Sequence, residues 1–87
     1  MQGGVQLFTN KTSDGHNNIS GRNIADARKN MKLSQRELAD NLQLQGLDID
    51  KNAIQRIECG KRFVTDIELC AFAHFFQMPC EQLLCLK

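Results

Sequence analysis

Twice in this chain a hydroxyl residue is followed three positions later by a glutamate, Ser34 by Glu37 and Thr65 by Glu68, and each pair opens a run of apolar residues at helical spacing. Such a pair bonds reciprocally, hydroxyl to the glutamate's backbone N–H and carboxylate back to the first residue's N–H. It thereby satisfies two of the donors that a helix N-terminus leaves open. Leu38, Ala39 and Leu42 form the inner face behind the first pair; Leu69, Phe72, Ala73 and Phe76 follow the second. These two helix starts divide the chain into the segments that the remaining helices must fill.

Ser20 is the expected cap of a first helix over about residues 21–31, where Ile24, Ala27, Arg28 and Met31 share a face. The second helix runs through Gln45 and is ended by Gly46, after which Leu47-Asp48-Ile49 crosses to the third. Asp50 caps that helix, Ile54 and Ile57 turn inward, and Gly60 stops it. Pro79 opens a short fifth helix whose apolar content is Leu83, Leu84 and Leu86. The expected fold is therefore all-α: a compact five-helix body over residues 19–87. Residues 1–18 hold Gly3, Gly4 and Gly15 with few apolar groups, and are expected to be a flexible arm, with Leu7 and Phe8 packing loosely on the body.

With 87 residues there is one small core, so function must reside on a surface rather than in a deep cleft. Two histidines, no tyrosine or tryptophan and no nucleophile–base arrangement argue against an enzyme, and nothing calls for a cofactor. No apolar run approaches the roughly 18–20 residues that span a bilayer, and Met1 to Phe8 lack the charged start of a secretory leader. The expected location is cytoplasmic, without a membrane partner. Cys59, Cys70, Cys80 and Cys85 contain no Cys-x-x-Cys pair, so neither a metal site nor a disulfide framework is expected. Reduced thiols packing as small hydrophobes are the default, with metal chelation or oxidant sensing by Cys70 and His74, four apart on one face, as the alternative.

Net charge is only +1, yet its distribution is uneven. Residues 22–37 carry five cations against two acids and residues 51–62 four against one, a local surplus of three in each. Asp40, Asp48, Asp50, Asp66, Glu68 and Glu81 lie elsewhere. This pattern describes a molecule with a positive and a negative side, although mixed charges that merely solvate helices are the plain alternative. Two short amphipathic helices with basic ends, joined within residues 34–62, have the layout of a helix-turn-helix DNA reader. Inward Ile54 and Ile57 set the rotation of the third helix and leave Lys51, Asn52, Gln55 and Arg56 outward. Asn52 and Gln55 are suited to bidentate pairing with adenine and Lys51 to donation to guanine.

Leu33-Ser34-Gln35, Leu38-Ala39, Ile54 and Ile57-Glu58-Cys59-Gly60-Lys61, in that order, resemble the lambda-repressor-like (Cro/XRE) helix-turn-helix family. The likeness extends over about residues 19–86 through Asp66-Ile67-Glu68-Leu69, Ala73, Phe76, Met78 and Leu83-Leu84. One departure is the run from Leu42 to Ile54, longer by about five residues than the family's usual connection. The resemblance implies a sequence-specific double-stranded DNA-binding transcriptional regulator, of the repressor type, that reads the major groove with helix three over about residues 50–59. Ser34, Gln35 and Arg36 at the start of helix two, with Lys61 and Arg62 after helix three, are the expected phosphate contacts. It further implies an ion pair between Arg28 and Glu58 and a homodimer on DNA; the chain's own apolar Phe75, Cys85 and Leu86 offer a surface for that contact unless they close over the body. The alternative is an antitoxin or protein-interaction adaptor built on the same fold.

Overall fold

Local hydrogen bonding sets where the helices begin, and the computed structural model, which describes residues 10–85, shows most of these caps formed. Among the described residues there are five helices and no strand: α1 (Gly21–Asn30), α2 (Gln35–Leu44), α3 (Lys51–Glu58), α4 (Asp66–Phe76) and α5 (Cys80–Leu83). At α2 the Ser34 hydroxyl accepts from the Glu37 N–H at 3.0 Å, and the Glu37 carboxylate accepts from the Ser34 N–H at 2.8 Å. Thr65 and Glu68 repeat the arrangement at α4, at 3.1 and 3.0 Å. Asp50 caps α3 by accepting from the Ala53 N–H at 2.8 Å. No helix among the described residues is long and apolar enough to cross a membrane.

The cap of α1 differs from the sequence reading. Ser20 makes no side-chain cap bond because its own backbone is already in the helical region, at φ −88° and ψ −15°, and the residue is buried. Asn18 takes the role, its Oδ1 accepting from the Gly21 N–H at 2.8 Å. The end of α4 carries a second difference: it is stopped by Gln77 in the left-handed conformation, at φ 58°, a position where the sequence holds no glycine.

Ile24 of α1, Leu38 and Leu42 of α2, Ile54 and Ile57 of α3, Phe72 of α4 and Leu83 of α5 are completely buried and belong to one cluster. Each such side chain contributes about 1.5–3 kcal/mol by leaving water, so this shared cluster is the main support for the helix arrangement. The long α2–α3 connection joins it through Ile49, which is 2% exposed. Two further bonds fasten that connection: the Leu47 N–H donates to the Leu42 carbonyl at 3.0 Å, and the Gln43 Nε2 donates to the Ile49 carbonyl at 2.7 Å. The connection is therefore built into the body, and it hands the chain to α3 at the Asp50 cap.

Residues 1–9, with Leu7 and Phe8, lie outside the described residues, as does Leu86. The remainder of the expected arm is not free. The Asn17 N–H donates to the Gly60 carbonyl at 2.7 Å and its Nδ2 to the Lys61 carbonyl at 2.9 Å. Asn18 Nδ2 donates to the carbonyls of Ile57 at 2.9 Å and Arg62 at 2.8 Å. The cause is the open carbonyls at the end of α3, which carboxamides are well shaped to satisfy. His16 lies against Gly60, close enough that a Cβ there would fall 2.6 Å from the ring.

Candidate nucleic-acid interface

At about 100° per residue, Lys51, Gln55, Asn52 and Arg56 occupy one arc of α3, roughly opposite the direction in which Ile54 and Ile57 point. The two isoleucines are 0% exposed, whereas Lys51, Asn52, Gln55 and Arg56 are all exposed. No ion pair among the described residues engages Lys51 or Arg56. α3 therefore presents two cations and two carboxamides on a surface whose underside is anchored in the core. Asp50, although acidic and adjacent, spends a carboxylate oxygen on the Ala53 N–H of the helix itself.

The orientation of α3 is set by a polar cluster at its C-terminal end. Arg28 Nε donates to Glu58 Oε2 at 2.7 Å and Arg28 Nη2 to Glu58 Oε1 at 3.0 Å, a two-point fork from α1 to α3. Arg28 Nη1 also donates to the Leu33 carbonyl at 2.8 Å, just before α2. Gln35, the first residue of α2, donates from Nε2 to Glu58 Oε1 at 2.9 Å. Three helices thus meet on one carboxylate, and the side chains of Arg28 and Glu58 are only 11% and 7% exposed. The hydrogen bonds to Glu58 raise the Arg28 pKa above its ordinary value, so the guanidinium stays charged. Gly21 adds close backbone contact, since a Cβ there would overlap the Ile57 carbonyl oxygen.

The five residues expected to meet phosphate have different fates. Arg36 and Lys61 are exposed and make no ion pair among the described residues. Ser34 is exposed; its oxygen accepts within the cap, which leaves its hydroxyl hydrogen to donate. Gln35 is half-buried and one amide hydrogen is spent on Glu58, so its chief contribution is to hold α2 against α3. Its backbone N–H and that of Arg36 point from the first turn of α2 with no acceptor among the described residues.

Arg62 departs from the expectation of a phosphate clamp. It forks onto Glu68 with Nη1 to Oε1 and Nη2 to Oε2 both at 2.9 Å, and its charge is neutralised inside the fold. Burial pushes the Glu68 carboxyl up, but the Arg62 hydrogen bonds, the Thr65 N–H and the guanidinium charge outweigh it and hold the carboxyl below its ordinary value. The same pairing raises Arg62.

No family model matches the chain, and no curated protein or solved structure matches it either. Phe75, offered either for a dimer contact or for closing over the body, is half-buried against the core cluster and meets Phe76 edge-on with centroids 5.5 Å apart. Cys85 is exposed. Larger apolar exposure occurs where the periodicity did not single it out: Leu44 at 86%, Ile67 at 73% and Phe63 at 50%. Cys70 does not stand alone with His74; its sulfur lies 3.9 Å from that of Cys80.

Proposed function

We propose that the chain is a sequence-specific double-stranded DNA-binding regulator of the lambda-repressor-like kind, acting in the cytoplasm as a repressor and binding paired half-sites as a homodimer. The observation that carries this reading is the exposed Lys51–Asn52–Gln55–Arg56 arc on a helix fixed by buried isoleucines and by the Arg28–Glu58–Gln35 cluster. A helix about 10–12 Å across fits the major groove, and carboxamides matched to adenine with cations matched to guanine are the side chains that read base edges there. Arg36, Lys61, the Ser34 hydroxyl and the open N–H groups of α2 are suited to phosphate. Arg62 is left out of that set because Glu68 already occupies it.

Selection of preferred duplexes from a random pool, followed by salt titration, tests the proposal. Changing Lys51, Asn52 and Gln55 together to alanine is expected to abolish the preference while non-specific binding persists. Lys61→Ala should lower the log–log salt slope by about one, and Arg62→Ala should leave it nearly unchanged. A slope near zero for the unaltered protein would instead favour a protein-binding adaptor or antitoxin, a reading supported by the exposure of Leu44 and Ile67.

A further inference from the structure

Four cysteines are free, and two of them are neighbours: Cys80 at the start of α5 donates its S–H to the sulfur of Cys70 on α4 at 3.9 Å. Cys70 is exposed and Cys80 is half-buried beside it. The more exposed Cys70 is the sulfur that an aqueous oxidant meets first, while the hydrogen bond to Cys70, then burial, hold the Cys80 thiol above its ordinary pKa. Bonded sulfurs sit about 2.05 Å apart, so closure requires a side-chain rotation and a small approach of the two helices. The corner between them is short, running through Gln77, Met78 and Pro79. We propose that Cys70 and Cys80 form an oxidant-responsive dithiol, closed by peroxide into an intramolecular disulfide that staples α5 to α4.

The Cys70 thiolate attacks one oxygen of hydrogen peroxide; the O–O bond breaks, hydroxide leaves, and Cys70 becomes a sulfenic acid. The deprotonated sulfur of Cys80 then attacks the Cys70 sulfur, breaking its S–O bond and expelling a second hydroxide. The two thiol protons convert the hydroxides to water. Two thiols and one peroxide thus give one disulfide and two waters, with the sulfurs oxidised by two electrons and the peroxide reduced by two. The consequence concerns α1 as well as α5, because Asn23 Nδ2 donates to the carbonyls of Leu83 at 2.9 Å and Cys85 at 2.7 Å. A stapled α5 holds that end of α1 more firmly.

The test uses the full chain carrying Cys59→Ser and Cys85→Ser, treated with one equivalent of hydrogen peroxide. The expected product is a monomer about 2 Da lighter with no titratable thiol. Its melting temperature should be higher by about 10 °C and should fall back with dithiothreitol, as closing a loop of about ten residues implies. Adding Cys80→Ser should replace the 2 Da loss by a gain of about 16 Da, the single oxygen that one equivalent supplies. Disulfide mapping of the unsubstituted chain, which does not depend on the variants folding, should give a Cys70–Cys80 peptide. Oxygen adducts without the 2 Da loss, covalent dimers, or two thiols still titratable after treatment each overturn the proposal.

Discussion

Glu58 accepts hydrogen bonds from α1 and α2 at once, so Glu58→Gln interrogates the joint that aims α3. Glutamine keeps one acceptor oxygen but turns the other position into a donor, which must then face Arg28 or Gln35, both of which donate. The Arg28 cation, 11% exposed, loses its counter-charge and keeps as acceptors only the Leu33 carbonyl and the one remaining amide oxygen. Hydrogen bonds to charged groups contribute about 1.5–3 kcal/mol each, and removing one member of a buried pair costs up to about 3–5 kcal/mol. Some access of water at this rim reduces the second figure, so a loss of about 2–4 kcal/mol is expected. For a domain of this length that corresponds to a fall in melting temperature of at least about 8 °C, measurable by circular dichroism. The loss should persist at 1 M salt, because a shielded pair is screened far less than a surface one. A melting temperature within about 2 °C of the parent, or a deficit that disappears at high salt, would show that the cluster is an ordinary surface contact without an orienting role.

Gly60→Ala is expected to cost about 2–4 kcal/mol in urea unfolding, because φ of +80° disfavours a side chain and the new Cβ meets the His16 ring. Adding His16→Ala should return the steric share and leave about 1 kcal/mol; identical single and double variants would mean that residues 10–18 do not dock. The pH dependence follows from Glu68, whose carboxyl is lower in the folded protein than its ordinary value. Such a group adds stability above its unfolded pKa of about 4.3 and loses it as pH falls through the lower folded value. Glu68→Gln should therefore be less stable at pH 7 and show a flatter decline from about pH 5 downward; an unchanged acid slope contradicts the assignment.

Capping signals were legible because they are local. Ser34 and Glu37, Thr65 and Glu68, and Asp50 and Ala53 each bond across three residues, and the bond forms whenever the first turn does. The inward direction of Ile54 and Ile57 was legible for the same reason, since helical periodicity needs only the chain's own repeat. Choices between chemically equivalent candidates were not. Asn18 and Ser20 are both acceptable caps, but only Asn18 also reaches the carbonyls of Ile57 and Arg62, and α3 sets where these lie. Lys61 and Arg62 look alike as adjacent cations, yet the turn between α3 and α4 delivers one to Glu68 and leaves the other exposed. Phe75 lies only about 60° from Phe72 around the helix, at the edge of the inner face, and packing by Phe76 and the neighbouring helices decides that it is half-buried.

The amino-acid order alone determined that the regular elements among the described residues are helices, the starts of α2, α3 and α4, and the buried and exposed sides of α3, because these depend on contacts within one or two turns. Tertiary structure decided which polar groups remain available on that surface. Gln35, Arg62 and Asn17 are claimed by partners distant along the chain or around a corner, and Arg36, Lys51, Arg56 and Lys61 make no ion pair among the described residues. The physical reason is that a side-chain pair forms only where helix crossings bring its members within hydrogen-bonding distance, and those crossings are set by the packing of Ile24, Leu38, Leu42, Ile57 and Phe72 together.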